Sequence, residues 1–405
     1  MTEEATETHV PNGLELTSLD EAFREDPYPV LKRLRTSDPV HRDDVLHTWV
    51  LSRHDDVDRV VNDRSLSADP RKAAPGTYME LFRRDDDEPS ILFLDPPDHT
   101  RLRGLVSKAF TPRAVERMAP RIQQVVDELL DSVAGAKTFD LMAAFAGPLP
   151  TIVIAEMLGV DPADRDDFKR WSDESVMGFN PILSDEERAR VEAASQAMRD
   201  YLQRAITERR TSPRDDQISA MIAVEEAGDQ LTNGEIVTMC SLLLAAGNVT
   251  TTDLIGNAVL ALLRHPDQLA ALQGDPSLIK NAVEEILRFD GPVVETGRIA
   301  LNDLDIDGHA VQPGDSIITS LAAANHDPAV YNEPDRFDIR RQDVHHHAFG
   351  GGIHYCLGAP LARLEAQIAV GTLVRRFPNL RLADEALEWR RLPVFRGLIR
   401  LPVLT

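Results

Sequence analysis

The sequence predicts a mainly α-helical fold with a minor β-sheet region, and three observations support this prediction. Apolar residues recur at helical spacing along much of the chain, as in 122–133, where they fall on one face. Strand-like runs are few and short, such as 49–51 and 317–319, and the segment 305–311 predicts a small hairpin. Internal repeats, low-complexity tracts and long linkers are absent from the sequence, so we expect a single domain over 1–405.

The longest predicted helix begins near Thr232. Thr232 and Glu235 fit a capping box, in which each side chain accepts a hydrogen bond from a backbone N–H of the first turn. The helical pattern continues to about Arg264, where His265 and Pro266 end it. This length of roughly thirty residues far exceeds the usual eleven or so. Because the segment is apolar on most sides, we expect it to run through the middle of the fold.

Charge and hydropathy exclude several classes of protein. The formal net charge is −23, from 67 acidic and 44 basic residues, which argues against nucleic acid as the main partner. Residues 1–15 form a polar N-terminal tail with no apolar signal segment, and no stretch approaches the ~18 apolar residues of a membrane span. We therefore expect a cytoplasmic protein that is not bound to a membrane.

The chain has two cysteines, too few for a disulfide framework or a four-thiolate metal site. Cys240 lies on an apolar helix face and is predicted to be structural. Cys356 lies in the glycine-rich segment 349–358, just before a helix that begins near Ala359. Glycines let the backbone approach a flat group closely, and a helix N-terminus favours a thiolate, so haem is a candidate ligand. The alternative is a glycine-rich turn beside an ordinary buried cysteine.

The spacing of Phe349, Gly352, Cys356 and Gly358 resembles the haem-binding signature of the cytochrome P-450 superfamily. Other motifs follow in the family's order, so the resemblance covers nearly the full chain. It implies the single-domain, mainly α cytochrome P-450 fold and a haem b cofactor. It also implies that Cys356 is the axial thiolate ligand and that Phe349, Gly350 and Gly358 lie beside the haem.

Glu285 and Arg288 resemble the family's Glu-x-x-Arg motif. At i and i+3 the two side chains share a helix face and can pair. In the family the pair binds a downstream arginine, for which Arg336 and Arg340 are the candidates here. The alternative is an ordinary salt bridge on a helix surface, which contributes little to stability.

The segment 96–103 resembles the helix that contacts the haem propionates. His99 and Arg103 are four residues apart and share a helix face. The resemblance adds Arg298 and His354 as further propionate contacts, which suits anions that need cationic partners. Each of these side chains could instead be a solvated charge at the surface.

The segment 246–251 resembles the oxygen-activating motif Ala-Gly-x-Asp/Glu-Thr-Thr. By this resemblance Gly247 leaves space above the iron, and the Thr250 hydroxyl binds dioxygen and passes protons on. The acidic position holds Val249, which cannot carry a proton. Either Asn248, ordered water or a polar group of the substrate completes the proton relay, or turnover is poorly coupled. The alternative for Thr250 is a hydrogen bond back to a preceding carbonyl.

The resemblance also places the walls of the substrate pocket at 72–94, 171–183, 292–296 and 393–398. The charged run 83–88 within the first of these is predicted to be a solvated loop tip. Apolar residues dominate the predicted walls, which suits a hydrophobic substrate of moderate size. The pocket residues predicted are Phe179, Leu243, Leu244, Ala246, Val293, Val294, Val394 and Phe395.

The predicted activity is insertion of one oxygen atom from O2 into a C–H or C=C bond of a hydrophobic small molecule. The chain has no flavin or nicotinamide fingerprint, so electrons are expected from a separate ferredoxin and an NAD(P)H-dependent ferredoxin reductase. The resemblance also implies a monomer. Alternatives are a peroxide-using or non-oxygenating haem enzyme, which Val249 motivates, and a haem sensor without turnover. Basic candidates for ferredoxin docking are Arg101, Lys108, Arg113 and Arg363.

Overall fold

A computed structural model describes residues 10–84, 89–107, 112–180, 182–226 and 231–405. Within these ranges the chain is mostly helical with small sheets, which confirms the predicted fold class. Part of the charged run 83–88 and the docking candidate Lys108 lie outside the described residues.

The α-helices are numbered here in chain order. Short 3-10 turns separate several of them, and a π-helical turn, Met142–Ala146, precedes α7. The helices are α1 Glu21–Glu25, α2 Tyr28–Ser37, α3 His54–Asn62, α4 Asp98–Ser107, α5 Pro112–Glu116, α6 Ala119–Val133, α7 Pro148–Leu158, α8 Arg165–Val176, α9 Asp185–Thr211, α10 Gln217–Glu226, α11 Asn233–Arg264, α12 Pro266–Gly274, α13 Ile279–Asp290, α14 Leu321–Ala324 and α15 Ala359–Arg376.

The strands are short, in keeping with the predicted minor sheet. They are β1 Val40–Asp43, β2 Thr48–Leu51, β3 Leu66–Ser67, β4 Thr138–Asp140, β5 Glu295–Ala300, β6 Leu304–Ile306, β7 His309–Val311, β8 Ser316–Ser320, β9 Arg381–Leu382, β10 Glu388–Trp389, β11 Leu398–Arg400 and β12 Pro402–Leu404.

Contacts between residues group the chain into two compact units. Unit 1 comprises 1–85, 281–356 and 389–397, and unit 2 comprises 86–280, 357–388 and 398–405. The single domain over 1–405, with a polar tail at 1–15, stays a prediction.

Unit 1 is built on a five-stranded sheet in the order β1-β2-β8-β5-β3. Strands β2 and β8 pair in parallel, and the other neighbouring pairs are antiparallel. The predicted hairpin forms as β6 and β7, and its turn places Asp307 and Gly308 at φ of 52° and 83°. Glycine adopts such a φ without strain, which explains its place in this turn.

Unit 2 is helical around α11, with the small antiparallel sheet β4-β12-β9 at its edge. The predicted capping box is present, since the Thr232 side chain accepts from the Glu235 N–H and Glu235 accepts from the Thr232 N–H. Helix α11 packs against α7, α8, α9 and α15. The sequence prediction of a long central helix is thus confirmed for this unit.

Among the described residues, α11 is the one helix whose length and composition would allow it to cross a membrane. A buried core helix has the same length and composition, and α11 has the packing of one.

Candidate active site

The loop that carries Cys356 is closed by a hydrogen bond from its own backbone N–H to the Phe349 carbonyl, at 2.9 Å. Gly350 and Gly352 have φ of 67° and 61°, a region that other residues rarely adopt. A Cβ at Gly352 would also lie 2.5 Å from the carbonyl oxygen of Val61 in α3. This glycine is therefore required both by its φ and by the close approach of α3.

A buried ion network lies upstream of this loop in unit 1. The Arg288 guanidinium donates from Nε to Glu285 Oε2 and from Nη2 to Oε1, each at 2.8 Å, and both side chains are 0% exposed. Arg341 Nε binds the same carboxylate at 3.1 Å. The Asp338 N–H donates to Glu285 Oε1 at 3.0 Å. One carboxylate therefore serves two guanidinium groups and one backbone donor.

The prediction that Arg336 or Arg340 completes this network was wrong. Arg341 completes it, while the Arg336 side chain is 57% exposed and pairs with Glu333 and Asp338 at the surface. Arg336 contributes only its carbonyl oxygen, which accepts from Arg288 at 3.2 Å. Spacing alone could not separate adjacent arginines, because the segment before the loop is irregular and its side-chain directions follow no simple period.

The network connects to the cysteine loop through Asn325. Arg288 Nη1 donates to the Asn325 carbonyl at 2.9 Å. The Asn325 side-chain Oδ1 then accepts from the His347 N–H at 2.8 Å. Because His347 lies two residues before Phe349, the Glu285–Arg288–Arg341 network fixes the point at which the loop begins.

Two of the predicted propionate contacts belong to unit 1. Arg298 is 5% exposed in β5 and donates to the Gly297 carbonyl at 2.8 Å and to Thr296 Oγ1 at 3.4 Å. His354 is half-buried in the 3-10 turn Gly352–His354. Arg298 is thus a buried cation, which is the kind of partner that a haem propionate needs.

The other two predicted propionate contacts lie on α4 in unit 2. His99 is 2% exposed and Arg103 is half-buried. Their neighbour Arg101 forms an ion pair with Glu235 at the start of α11. The charge of Arg101 is therefore already balanced, which weakens it as a docking residue.

Thr250 lies on the face of α11 that also presents the exposed Ala246 and the half-buried Leu243. Its Oγ1 donates to the Ala246 carbonyl at 2.7 Å, the backward hydrogen bond that was the alternative for this residue. An added Cβ at Gly247 would lie 3.4 Å from the Ile154 side chain of α7, an ordinary van der Waals contact, so the role of Gly247 above the iron stays a prediction.

Asn248 is 3% exposed, and its amide is occupied by neighbouring helices. Its Oδ1 accepts from Thr151 Oγ1 at 2.9 Å, and its Nδ2 donates to Ser172 Oγ at 3.1 Å. A longer contact joins Nδ2 to Asp173 at 3.5 Å. This geometry favours a structural role for Asn248, joining α7, α8 and α11, over the predicted part in the proton relay.

Two of the predicted pocket walls are joined in unit 1. Val293 and Phe395 form an antiparallel bridge, and the Val294 N–H donates to the Val394 carbonyl at 3.1 Å. Val294 itself is 6% exposed in a cluster of buried apolar residues around Phe23. It is thus a core residue, and the prediction that it lines the pocket is not supported by its burial.

The predicted pocket residues of unit 2 also differ in how exposed their side chains are. Leu244 is 2% exposed in the main apolar cluster of the unit, so it is also a core residue. Leu243 is half-buried and Ala246 is exposed. Phe179 is half-buried at the end of the 3-10 turn Met177–Phe179. Leu243, Ala246 and Phe179 keep the exposure that a pocket wall needs.

The residues of the cysteine loop fit a bound haem. Cys356 is partly exposed, whereas Cys240 is 0% exposed and burial raises the pKa of its thiol well above the usual range. An accessible thiol can ionise and bind a metal, and a buried one is inert. An added Cβ at Gly350 or Gly358 would meet no atom within 4 Å, so the loop presents open space to a flat ligand.

A partly exposed thiol on a glycine-rich loop is the arrangement that a haem-thiolate site requires. The model of the family "Cytochrome P450" matches residues 45–385. This chain belongs to the cytochrome P450 family, whose members are haem b enzymes with a cysteine thiolate as the axial ligand.

Curated relatives cover nearly the whole chain. It is 44% identical over 402 residues to cytochrome P450 107B1 of Saccharopolyspora erythraea, covering 96% of this chain and 97% of that protein. It is 42% identical to the cytochrome P450 monooxygenase PikC of Streptomyces venezuelae, covering 98% and 95%. Among solved structures, ligand-free CYP164A2 of Mycobacterium smegmatis is 43% identical with a TM-score of 0.88, covering 97% and 99%. The chain is thus an oxidoreductase of the monooxygenase class.

We predict that Glu285→Ala lowers the free energy of unfolding by about 3–5 kcal/mol, because it leaves the fully buried Arg288 and the mostly buried Arg341 without their carboxylate. Chemical denaturation of the purified protein measures this change. Arg336→Ala is the matched control, since it removes only an exposed pair and should cost under about 1 kcal/mol. Equal losses in the two variants would contradict the role given to Glu285.

A second prediction concerns pH. Burial, with a smaller contribution from His54, lowers the pKa of His347 to about 4. An unfolded histidine titrates near 6.5, so between pH about 6.5 and 4 the unfolded state binds more protons and stability falls as the pH falls. At pH 5 this loss amounts to about 2 kcal/mol.

Urea unfolding at pH 7 and pH 5 tests this assignment. His347→Gln should lose less stability between the two values than the wild type does. His345→Gln, which changes an exposed histidine of the same run, should behave like the wild type. If His347→Gln keeps the full wild-type loss, another group controls the acid sensitivity.

Proposed function

We propose that this enzyme inserts one oxygen atom from O2 into a C–H or C=C bond of a hydrophobic small molecule, by hydroxylation or epoxidation. The observation that carries the proposal is the partly exposed Cys356 on a loop fixed by the Glu285–Arg288–Arg341 network. Family membership supports the reaction class.

In this proposal Cys356 is the axial ligand, and Phe349, Gly350 and Gly358 border the macrocycle. His99, Arg103, Arg298 and His354 bind the propionates. Burial supports His99 and Arg298, because a propionate held in a partly desolvated place needs a charge-assisted hydrogen bond. When bound, the haem supplies dioxygen binding and activation, and the thiolate donates electron density that favours O–O cleavage.

Thr250 is proposed to hold and pass protons toward the oxygen substrate. Its Oγ1 donates a hydrogen bond to the Ala246 carbonyl oxygen, with 2.7 Å between the two oxygens. This bond fixes the orientation of the hydroxyl group and leaves the lone pairs of Oγ1 to accept a further proton.

In unit 2, Ala246 and Leu243 on the same face of α11, with Phe179, are proposed to supply apolar surface for a substrate. In unit 1, Val293 and Val394 are proposed for the same role, whereas Phe395 is buried. These apolar side chains exclude water and favour the binding of an apolar molecule of moderate size.

Electrons are proposed to come from a separate ferredoxin and its NAD(P)H-dependent reductase. Among the basic candidates, Arg113 on α5 is exposed, and Arg363 on α15 is half-buried. We further propose a monomer in the cytoplasm. The packing of α11 inside unit 2 supports this, because its apolar surface is used within the protein.

The second candidate function is a haem-thiolate enzyme that uses hydrogen peroxide, and Val249 favours it. This residue is 2% exposed and apolar, so the usual acid beside the threonine is absent. Hydrogen peroxide already carries the two protons that a relay must deliver to O2. Comparing product formed with hydrogen peroxide against product formed with ferredoxin, reductase and NADPH separates the two candidates.

The ligand assignment predicts that Cys356→Ala loses the absorption spectrum of a thiolate-bound haem. Cys240→Ala should keep that spectrum, since Cys240 is buried in the apolar cluster of unit 2. Absorption spectra of the ferric proteins provide the measurement. In the wild type, titration with terpenes, steroids, macrolides, fatty acids and small aromatics should shift the spin state with one class. An unchanged spectrum in Cys356→Ala would show that another residue holds the iron.

Charge reversal tests the docking proposal. Arg113→Glu should slow reduction by ferredoxin about tenfold at low salt, with the difference shrinking at high salt, because electrostatic steering is screened. Stopped-flow reduction measures the rate. Arg188→Glu, an exposed arginine on α9, is the charge-matched control. Equal and salt-insensitive rates in wild type and Arg113→Glu would place ferredoxin docking elsewhere.

A further inference from the structure

Buried polar side chains continue along α11 directly beyond Thr250. Asp253 and Asn257 are both 0% exposed. Residues 250, 253 and 257 are spaced at i, i+3 and i+7, so they lie on one face of the helix. The acid that the family motif has at position 249 is replaced by valine, yet an acid appears one turn later on the face that carries Thr250.

The direction of helical side chains brings Asp253 back toward Thr250. In an α-helix the Cα–Cβ bond tilts toward the N-terminus, so a side chain covers the turn that precedes its own Cα. The turn before Asp253 holds Val249 and Thr250, and Cβ atoms at this spacing lie about 5–6 Å apart. The Thr250 proton is already donated to the Ala246 carbonyl, so its oxygen is left as the acceptor for an incoming proton.

The residues next to Thr250 in the sequence are not candidates for a proton donor. Asn248 binds Thr151 and Ser172 on the neighbouring helices. Thr252 Oγ1 donates to Asn248 Oδ1 at 3.4 Å, so it belongs to the same group of contacts. Val249 has no titratable group. Of the acidic residues within four positions of Thr250, Asp253 is the one the sequence provides.

A second buried carboxyl lies on α15, which packs against α11. Glu365 is 2% exposed, and its Oε2 has no hydrogen-bond partner among the described residues. Burial raises the pKa of Glu365 to about 8, so it stays protonated at neutral pH. Helices α11 and α15 thus each carry a buried carboxyl side chain.

We propose that Asp253 is the acid that supplies protons to Thr250 in place of the acid missing at position 249. The carboxyl O–H of Asp253 gives its proton to Thr250 Oγ1, and the Thr250 hydroxyl proton moves on to the oxygen substrate. The resulting Asp253 carboxylate is then reprotonated, with water as the ultimate source of the proton. This inference rests on the proposed function, since it assigns the proton source of the same site.

The first test is infrared spectroscopy of the ferric holoenzyme without substrate, which requires no turnover. A proton donor must be protonated, so wild type minus Asp253→Asn should show the carbonyl stretch of a neutral carboxyl that shifts in D2O. Thr250→Val, which removes the hydroxyl at nearly constant volume, should shift that band. Thr252→Val is the matched control and should leave it unmoved. Absence of the band, or a band that ignores Thr250→Val, would overturn the proposal.

The second test follows oxygen consumption with NADPH, a [2Fe–2S] ferredoxin and its reductase, without added substrate. Asp253→Asn should raise the fraction of oxygen released as hydrogen peroxide about twofold or more, and Asp253→Glu should restore the wild-type fraction in part. The double variant with Thr250→Val should equal Thr250→Val alone, because residues of one relay are not additive. An unchanged peroxide fraction in Asp253→Asn would reject the inference.

Failure of the proposed function and failure of the Asp253 assignment give different results. Loss of the proposed function would appear as a wild type without a thiolate-bound haem spectrum. Failure of the inference alone would leave that spectrum intact in every variant while the Asp253 band and the peroxide fraction stayed unchanged. Melting temperatures of all variants show whether any of them is merely unfolded.

Discussion

The conformation of the cysteine loop depends on a single buried carboxylate. Glu285 has no access to solvent, and its charge is balanced by Arg288 and Arg341 within hydrogen-bond distance. Without it the two guanidinium groups could not be held close together, because desolvating an unpaired charge costs several kcal/mol. The carbonyl oxygens that the two arginines bind belong to a stretch with little regular secondary structure. In the absence of a helix or strand ladder, these charge-assisted bonds determine its path.

This arrangement explains how an irregular segment can position a metal ligand. The carbonyl of Asn325 binds Arg288, and its side chain binds the backbone at His347. From there the chain needs only a few residues and two left-handed glycines to reach Cys356. The ion network thereby holds the loop rigid without helical structure. An irregular loop with glycines lets its backbone lie close to a flat cofactor.

Much of this could be predicted from the sequence. The capping box at Thr232, the Asp307–Gly308 turn and the glycine spacing of the cysteine loop each depend on local chemistry, and each motif lies on the predicted element. Sequence could not distinguish Arg341 from Arg340, because the backbone there has no period. It also could not show that Gly247 faces Ile154, or that Val294 and Leu244 are buried, since burial on one side of an element depends on its neighbours. The family motif points to position 249 for the acid, whereas the proposed acid, Asp253, lies at i+3 from Thr250 outside that motif.

The burial of Cys240 has a practical consequence for chemistry on the surface of this protein. Its thiol is inaccessible and hard to ionise, so it will not react with maleimides or disulfides under conditions that label exposed cysteines. The other native thiol is the proposed iron ligand. A cysteine introduced on an exposed helix would then be the single reactive thiol of the holoenzyme. Fluorophores, electrode linkers or light-driven electron donors could be attached there without first removing native cysteines.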